Sequence, residues 1–297
     1  AALMLFKQSR SDFLILETGL GGRLDATNII PKKICSIITP ISFDHEEFLG
    51  KTLKKIANEK LGIVKNCDFV LVGKQKKELK DHIQKKLNKF ENKYFYGKEF
   101  QVTKSLKNKF EIKIDGKKYL YTQPSLNGKH QEENASISIY FAKIMKKMGY
   151  KLNTKEINSA IKKTIWPGRL EIINYKNKKI ILDGSHNIDG ADKLNEFLKS
   201  KRIKPTVLFG MLNNKKASLF LNKIKKRVSK VLAIKIPDEK NAFKTKQINE
   251  ICEFHSIKCE KINNINDALK YFRSNQQKIY LVTGSLYLIG KIRKRLL

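Results

Sequence analysis

Residues 179–209 read KIILDGSHNIDGADKLNEFLKSKRIKPTVLF. The apolar run from Lys179 to Asp183 has the look of a buried strand, the stretch on to Ser200 carries helical spacing, and Thr206 to Phe209 is a second apolar run. Strand, helix and strand in about thirty residues is the building unit of a parallel sheet. Downstream the alternation continues. A Lys-rich helix precedes a strand over Val231–Ile236, more helix follows, and Ile279–Thr283 closes the series. Upstream, Leu170–Asn174 adds one more strand, and Trp166-Pro167-Gly168 breaks the pattern.

N-terminal to that break the spacing predicts a helix starting near Asn153, with Glu156 completing a capping box, and another over 131–148. Alternation from Phe100 to Tyr121 predicts antiparallel strands with a hairpin turn at Asp115-Gly116. Before it come a basic helix over Asp81–Phe90, strands at Asp68–Val72 and Ile34–Ile38, a helix over Thr52–Val64, and an apolar run, Phe13–Leu16, expected to be a buried strand. Ala1 to Gln8 resembles the last turns of an apolar helix, and there is no initiator Met, so an upstream part is expected. The expected fold is α/β with two domains, 1–166 and 167–297.

Composition narrows the function. Of 297 residues, 62 are Lys or Arg and 28 Asp or Glu, a formal charge of +34. Only eight are Arg, the residue that forks onto phosphates and bases. Lysine is spread along the whole chain, so we expect no nucleic-acid partner, and the charge serves at most to attract anionic small molecules. No run approaches the ~20 apolar residues of a membrane span, and no signal peptide is recognisable. Cys35, Cys67, Cys252 and Cys259 are few and scattered, which fits a cytoplasmic protein with free thiols. Cys252, His255 and Cys259 lack a fourth ligand nearby and are read as thiols rather than as a zinc site.

Three polar clusters follow expected strands, where parallel sheets bind ligands. Glu17 opens the segment Glu-Thr-Gly-Leu-Gly-Gly-Arg-Leu-Asp-Ala-Thr-Asn28; it is placed as a hard oxygen ligand for Mg²⁺ or, equally, as a solvated turn carboxylate. His45 in Phe43-Asp44-His45 could join a cation site or be an ordinary surface histidine. Asp183-Gly184-Ser185-His186-Asn187 meets a helix N-terminus, which favours anions. Ser185 and His186 are adjacent, whereas a catalytic triad draws its base from elsewhere in the fold, so a serine hydrolase is rejected. Gly50-Lys51-Thr52 imitates the tail of a phosphate loop, but His45 stands where the first glycine belongs; Thr52 is expected to cap a helix instead.

Together with Asn58-Glu-Lys-Leu-Gly-Ile-Val64, Gly128-Lys-His-Gln-Glu-Glu-Asn134 and Pro167-Gly-Arg169, these segments make the chain resemble the folylpolyglutamate synthase/dihydrofolate synthase family of the Mur ligase superfamily. The resemblance implies a Mur-ligase-like ATPase domain of the P-loop type, lacking its N-terminal phosphate loop here, and a Rossmann-like C-terminal domain. It implies a monomeric ligase that adds L-glutamate to dihydropteroate or folate, with ATP and Mg²⁺, through an acyl phosphate. Glu17 and His45 match metal ligands, and Lys60 matches a lysine carbamylated in the family to help hold a second Mg²⁺. Leu24, Asp25 and Ala26 match a pterin-contacting stretch; Asn134, Arg169 and Asp183 match nucleotide-binding positions; His186 and Ser285 match the glutamate end. Without the phosphate loop, the 297-residue chain is expected to ligate poorly on its own. The alternatives are a Mur-type ligase acting on a peptidoglycan precursor, against which Leu-Asp-Ala-Thr-Asn argues, and an inactive basic nucleic-acid-binding relic.

Overall fold

The computed structural model describes residues 2–9 and 11–297. They form two compact units that divide between Lys98 and Glu99. The first unit contains α1 (Ala2–Gln8), β1 (Lys33–Ile38), α2 (Glu46–Leu49), α3 (Leu53–Leu61), β2 (Cys67–Val72), α4 (Lys77–Lys86) and β3 (Lys93–Phe95). Its strands pair in parallel in the order β1-β2-β3. Ile38, Ile56, Val70, Leu79, Ile83 and Phe95 bury one face of that sheet against the helices. Thr52 caps α3 as expected, its hydroxyl accepting from Lys55 N at 3.2 Å.

The run Phe13–Leu16 is not a strand. It pairs with no described strand, and Ile15 is 93% exposed. An apolar run becomes a strand only where a neighbour supplies the ladder, so composition alone does not decide it.

The second unit starts with an antiparallel meander, β4 (Phe100–Ser105), β5 (Lys109–Ile114) and β6 (Lys117–Thr122). Asp115 and Gly116 at its second turn both have positive φ, 45° and 85°, as a two-residue hairpin of this kind requires. Helices α5 (His130–Lys147) and α6 (Thr154–Lys163) follow, α6 with the expected Asn153–Glu156 capping box. Then come β7 (Glu171–Tyr175), β8 (Lys178–Asp183), α7 (Ile188–Lys201), β9 (Thr206–Phe209), α8 (Ala217–Ile224), β10 (Lys230–Ile234), α9 (Thr245–Phe254), β11 (Cys259–Ile262), α10 (Ile265–Ser274), β12 (Ile279–Thr283) and α11 (Leu286–Leu296).

The sheet order is β11-β10-β9-β12-β8-β7, parallel except for β7, which pairs antiparallel with β8. Apolar clusters cover both faces, one around Phe197, Phe209 and Phe220, the other around Phe272, Tyr280 and Ile292. This is why the strands read as continuous apolar runs instead of alternating ones. Among the described residues no helix is long and apolar enough to cross a membrane. His255 turns to Ser218, Nε2 to Oγ at 2.8 Å, and among the described residues no three ligating side chains gather around Cys252 and Cys259.

Candidate active site

In the first unit the glycine-rich segment runs from Glu17 to Asn28. It locks onto the end of α3. Arg23 N donates to Glu59 O at 2.8 Å, and its Nε reaches Glu59 Oε1 at 3.1 Å. Asn28, buried, donates to Arg23 O and Gly62 O at 3.2 and 3.0 Å. A Cβ on Gly22 would lie 2.8 Å from Glu59 O, and one on Gly62 would lie 2.3 Å from Arg23 Cβ. Gly62→Ala is therefore expected to destabilise the chain by roughly 1–3 kcal/mol, the usual cost of overpacking, read as a lower urea midpoint. An unchanged midpoint would show that the interlock is dispensable.

Asp25 organises the same loop. Its carboxylate accepts from Leu20 N (2.8 Å), Thr27 N (3.0 Å) and Thr27 Oγ1 (2.6 Å). The Thr27 hydroxyl bond and then the Leu20 amide bond hold the Asp25 carboxyl below its ordinary value. Leu24 and Ala26 on either side are exposed, Leu24 at 80%. Glu17 is exposed at the mouth of the loop. His45 begins α2 in a left-handed conformation, φ 50°, with Nε2 3.8 Å from Asp44 Oδ1. Lys60, half-buried in the last turn of α3, has its amine pKa lowered by burial, while the charge of Asp44 opposes the shift.

Among the described residues no three His, Cys, Asp or Glu side chains gather closely enough to hold a metal unaided. Magnesium carried by a nucleotide asks for less. Phosphate oxygens and water fill most of its octahedron, and one or two protein carboxylates suffice. The exposed carboxylate of Glu17 is a hard donor of that kind, and the residues present fit such an ion.

In the second unit a cavity of about 180 Å³ opens at the carboxyl end of β8. It is smaller than the ~300 Å³ of a typical whole-ligand pocket, so it suits one part of a larger ligand. Its lining includes His130, Arg169, Asp183, Ser185, His186 and Lys193. Asp183 is 5% exposed; its two oxygens accept from Leu170 N at 3.1 Å and Ser185 N at 3.2 Å. Burial pushes its carboxyl upward, against the bonds from Ser185 and Leu170 and the charge of Arg169. His186 donates Nδ1–H to Gly184 O at 2.9 Å, which orients the imidazole in the cavity. Asn187 caps α7 by accepting from Gly190 N at 2.8 Å. His130 has its imidazole pKa lowered, first by burial and then by Lys193. The cavity thus combines an exposed cation, a buried carboxylate, imidazoles and a helix N-terminus.

Two expected residues of the second unit stand outside this lining. Asn134 lies in the second turn of α5, not at its cap, and its amide donates to Gln131 Oε1 at 3.0 Å. Ser285 is buried and caps α11, its hydroxyl accepting from Tyr287 N at 3.2 Å. Sequence reasoning missed His130, Asp189 and Lys193. The last two follow from the Asn187 cap, because residues four apart share a helix face.

Comparisons with known proteins bear on the family and the fold. A family model for the Mur ligase middle domain matches residues 1–142, and one for the dihydrofolate synthetase C-terminal domain matches 169–296. The dihydrofolate synthase/folylpolyglutamate synthase of Bacillus subtilis (strain 168) is 31% identical over 297 residues, covering 96% of this chain and 67% of its own length. The chain belongs to the folylpolyglutamate synthase/dihydrofolate synthase family. Solved structures carry the same fold. The folylpolyglutamate synthase of Thermotoga maritima superposes with a TM-score of 0.78 at 29% identity, covering 99% of this chain and 68% of that one. That of Mycobacterium tuberculosis, complexed with ADP and AMPPCP, gives 0.84 at 23%, covering 99% and 71%. For this synthase-family chain the α/β architecture of the Mur ligases is therefore established, with the cavity at the carboxyl end of β8 in its Rossmann-like sheet.

Proposed function

We propose that the chain is an ATP-dependent ligase that joins L-glutamate to dihydropteroate, folate or both. Membership of the family carries the reading, and the cavity around Asp183 is the observation on this chain that supports it. A carboxylate is a poor electrophile. Its oxygen takes the γ-phosphoryl group, ADP leaves, and the acyl carbon is then attacked by the glutamate amine, which expels phosphate and loses a proton.

In this reading Asp183 accepts from the ribose hydroxyls, Arg169 reaches the phosphates, and Asn134 borders the nucleotide from α5. Leu24, Asp25 and Ala26 meet the pterin, Asp25 by holding the loop and Leu24 by its exposed apolar face. His186 and Ser285 serve the glutamate end, His186 offering Nε2 to the amine proton and Ser285 fixing the start of α11. Glu17, His45 and a carbamylated Lys60 would hold Mg²⁺, which when bound offsets phosphoryl charge. Residues 1–166 form the ATPase and folate part, and 167–297 the glutamate-ligase domain. The protein works as a cytoplasmic monomer without nucleic acid or membrane.

The test is ATP turnover with glutamate and each of dihydropteroate, tetrahydrofolate and a UDP-muramoyl acceptor. It is run on the 297-residue chain and on the product of the whole open reading frame that encodes it. ADP release that requires both a pteroyl acid and glutamate is expected. If the whole product turned over only with the muramoyl acceptor, or with no acceptor in the panel, the reading would be overturned; weak turnover by the 297-residue chain is expected.

A further inference from the structure

Leu170 is buried, 3% exposed, and adopts φ 50°, a left-handed conformation that a bulky residue rarely takes. Gly168, two residues earlier, has φ 73°. Arg169 lies between these two left-handed positions and is exposed in the cavity lining. Such strain persists only where the surroundings over-determine it.

Here they do. Leu170 N donates to Asp183 Oδ2 at 3.1 Å, and Leu170 O accepts from Asn127 Nδ2 at 3.0 Å. Gly168 O accepts from Gly184 N at 2.8 Å. Gly168 N donates to Glu171 Oε2 at 2.9 Å. Glu171 is in turn gripped by Arg293 of α11, whose Nε reaches both carboxylate oxygens at 3.0 Å. The Glu171 and Arg293 side chains are 19% and 32% exposed, so water competes weakly for the pair. The expected function uses neither residue.

We propose that Glu171, held by Arg293, is a positioning residue that locks the turn 168–170 and thereby aims the Arg169 guanidinium at the phosphates of the bound nucleotide. The proposal rests on the nucleotide reading of the cavity. A pair that merely tied β7 to α11 would have no reason to spend one carboxylate oxygen on the amide of a strained turn. Through Gly168 the clamp bears on the residue next to Arg169, and through Leu170 the same turn is tied to Asp183. Cation and buried carboxylate are thereby set in one frame.

Two measurements on the full chain test it, using Glu171→Gln and Arg293→Lys. The first is amide hydrogen exchange without nucleotide. Both variants should speed exchange at Gly168 and Leu170 while α7 and α8 keep their protection; unchanged protection at the turn overturns the clamp. The second is calorimetric binding of ATP and of adenosine, which lacks phosphates. Glu171→Gln should weaken ATP binding roughly tenfold, the scale of one misplaced charged contact, and leave adenosine alone. In an Arg169→Ala background the substitution should have no further effect on ATP. Equal weakening of both ligands, or additivity with Arg169→Ala, would overturn the aiming role. If Arg169→Ala itself leaves ATP affinity intact, the nucleotide reading fails and the aiming role with it, while the exchange result still decides the clamp.

Discussion

Asp183→Asn is expected to weaken ATP binding roughly 10- to 100-fold, the worth of hydrogen bonds to a charged group, and to alter how stability depends on pH. The carboxylate has two jobs. It accepts the Leu170 and Ser185 amides, and it offers negative charge to donors entering the cavity. Asparagine keeps one acceptor oxygen, so it can satisfy one amide while its NH₂ group faces the other. That mismatch costs about 1–3 kcal/mol at every pH.

The pH-dependent part has the opposite sense. Burial raises the Asp183 carboxyl above its unfolded value, so the folded chain holds the proton where the unfolded chain has released it. The contribution is fully present below the ordinary carboxylate value of about 3.9 and is lost as pH rises through the raised one. Wild-type stability minus that of Asp183→Asn should therefore fall as pH rises through this window. Urea midpoints of the two proteins at a series of pH values measure it. A difference that stays flat with pH would mean that Asp183 titrates normally, and an undiminished ATP affinity would remove it from the nucleotide site.

Much of this arrangement was legible in residue order, and the misses have physical causes. The strand ending at Asp183 and the helix capped by Asn187 were readable because a fully buried parallel strand is apolar throughout and an Asx cap is local chemistry. The same rule misread Phe13–Leu16, where the apolar run is real and the ladder is not. Asn134 and Ser285 also make local contacts whose direction residue order does not give. One bonds a residue on its own helix and the other caps α11. Gly22 and Gly62 leave room for the loop and α3 to touch, a contact between segments some forty residues apart that residue order does not show. His130 came to the cavity from an element some fifty residues distant in sequence, a closure that only tertiary packing reveals. The left-handed Leu170 left no trace in composition at all, because its conformation is imposed by Asn127 and Asp183.

Lys60→Ala is expected to abolish most ligation, by about 10²–10³ in kcat, the scale of removing one charge-stabilising group from such a centre. The proposed carbamate needs a neutral amine, whose lone pair attacks carbon dioxide and then sheds a proton to leave an anion. An ordinary lysine is almost wholly protonated near neutrality. Burial in the last turn of α3 lowers the Lys60 value, which raises the neutral fraction, while Asp44 limits the shift. Two substitutions separate the chemistry from simple charge. Lys60→Arg keeps a cation that cannot be carbamylated, so it should be as inactive as alanine, whereas a small carboxylate such as acetate should partly restore Lys60→Ala by supplying the missing anion. Isotope-labelled bicarbonate should give a carbamate signal in the wild type that is lost on acidification, because protonation of the amine withdraws the nucleophile, and that is absent from both variants. An active Lys60→Arg protein would show that the residue serves as a cation, and would place the anionic ligand elsewhere, with Asp44, whose charge already acts on Lys60, the first candidate.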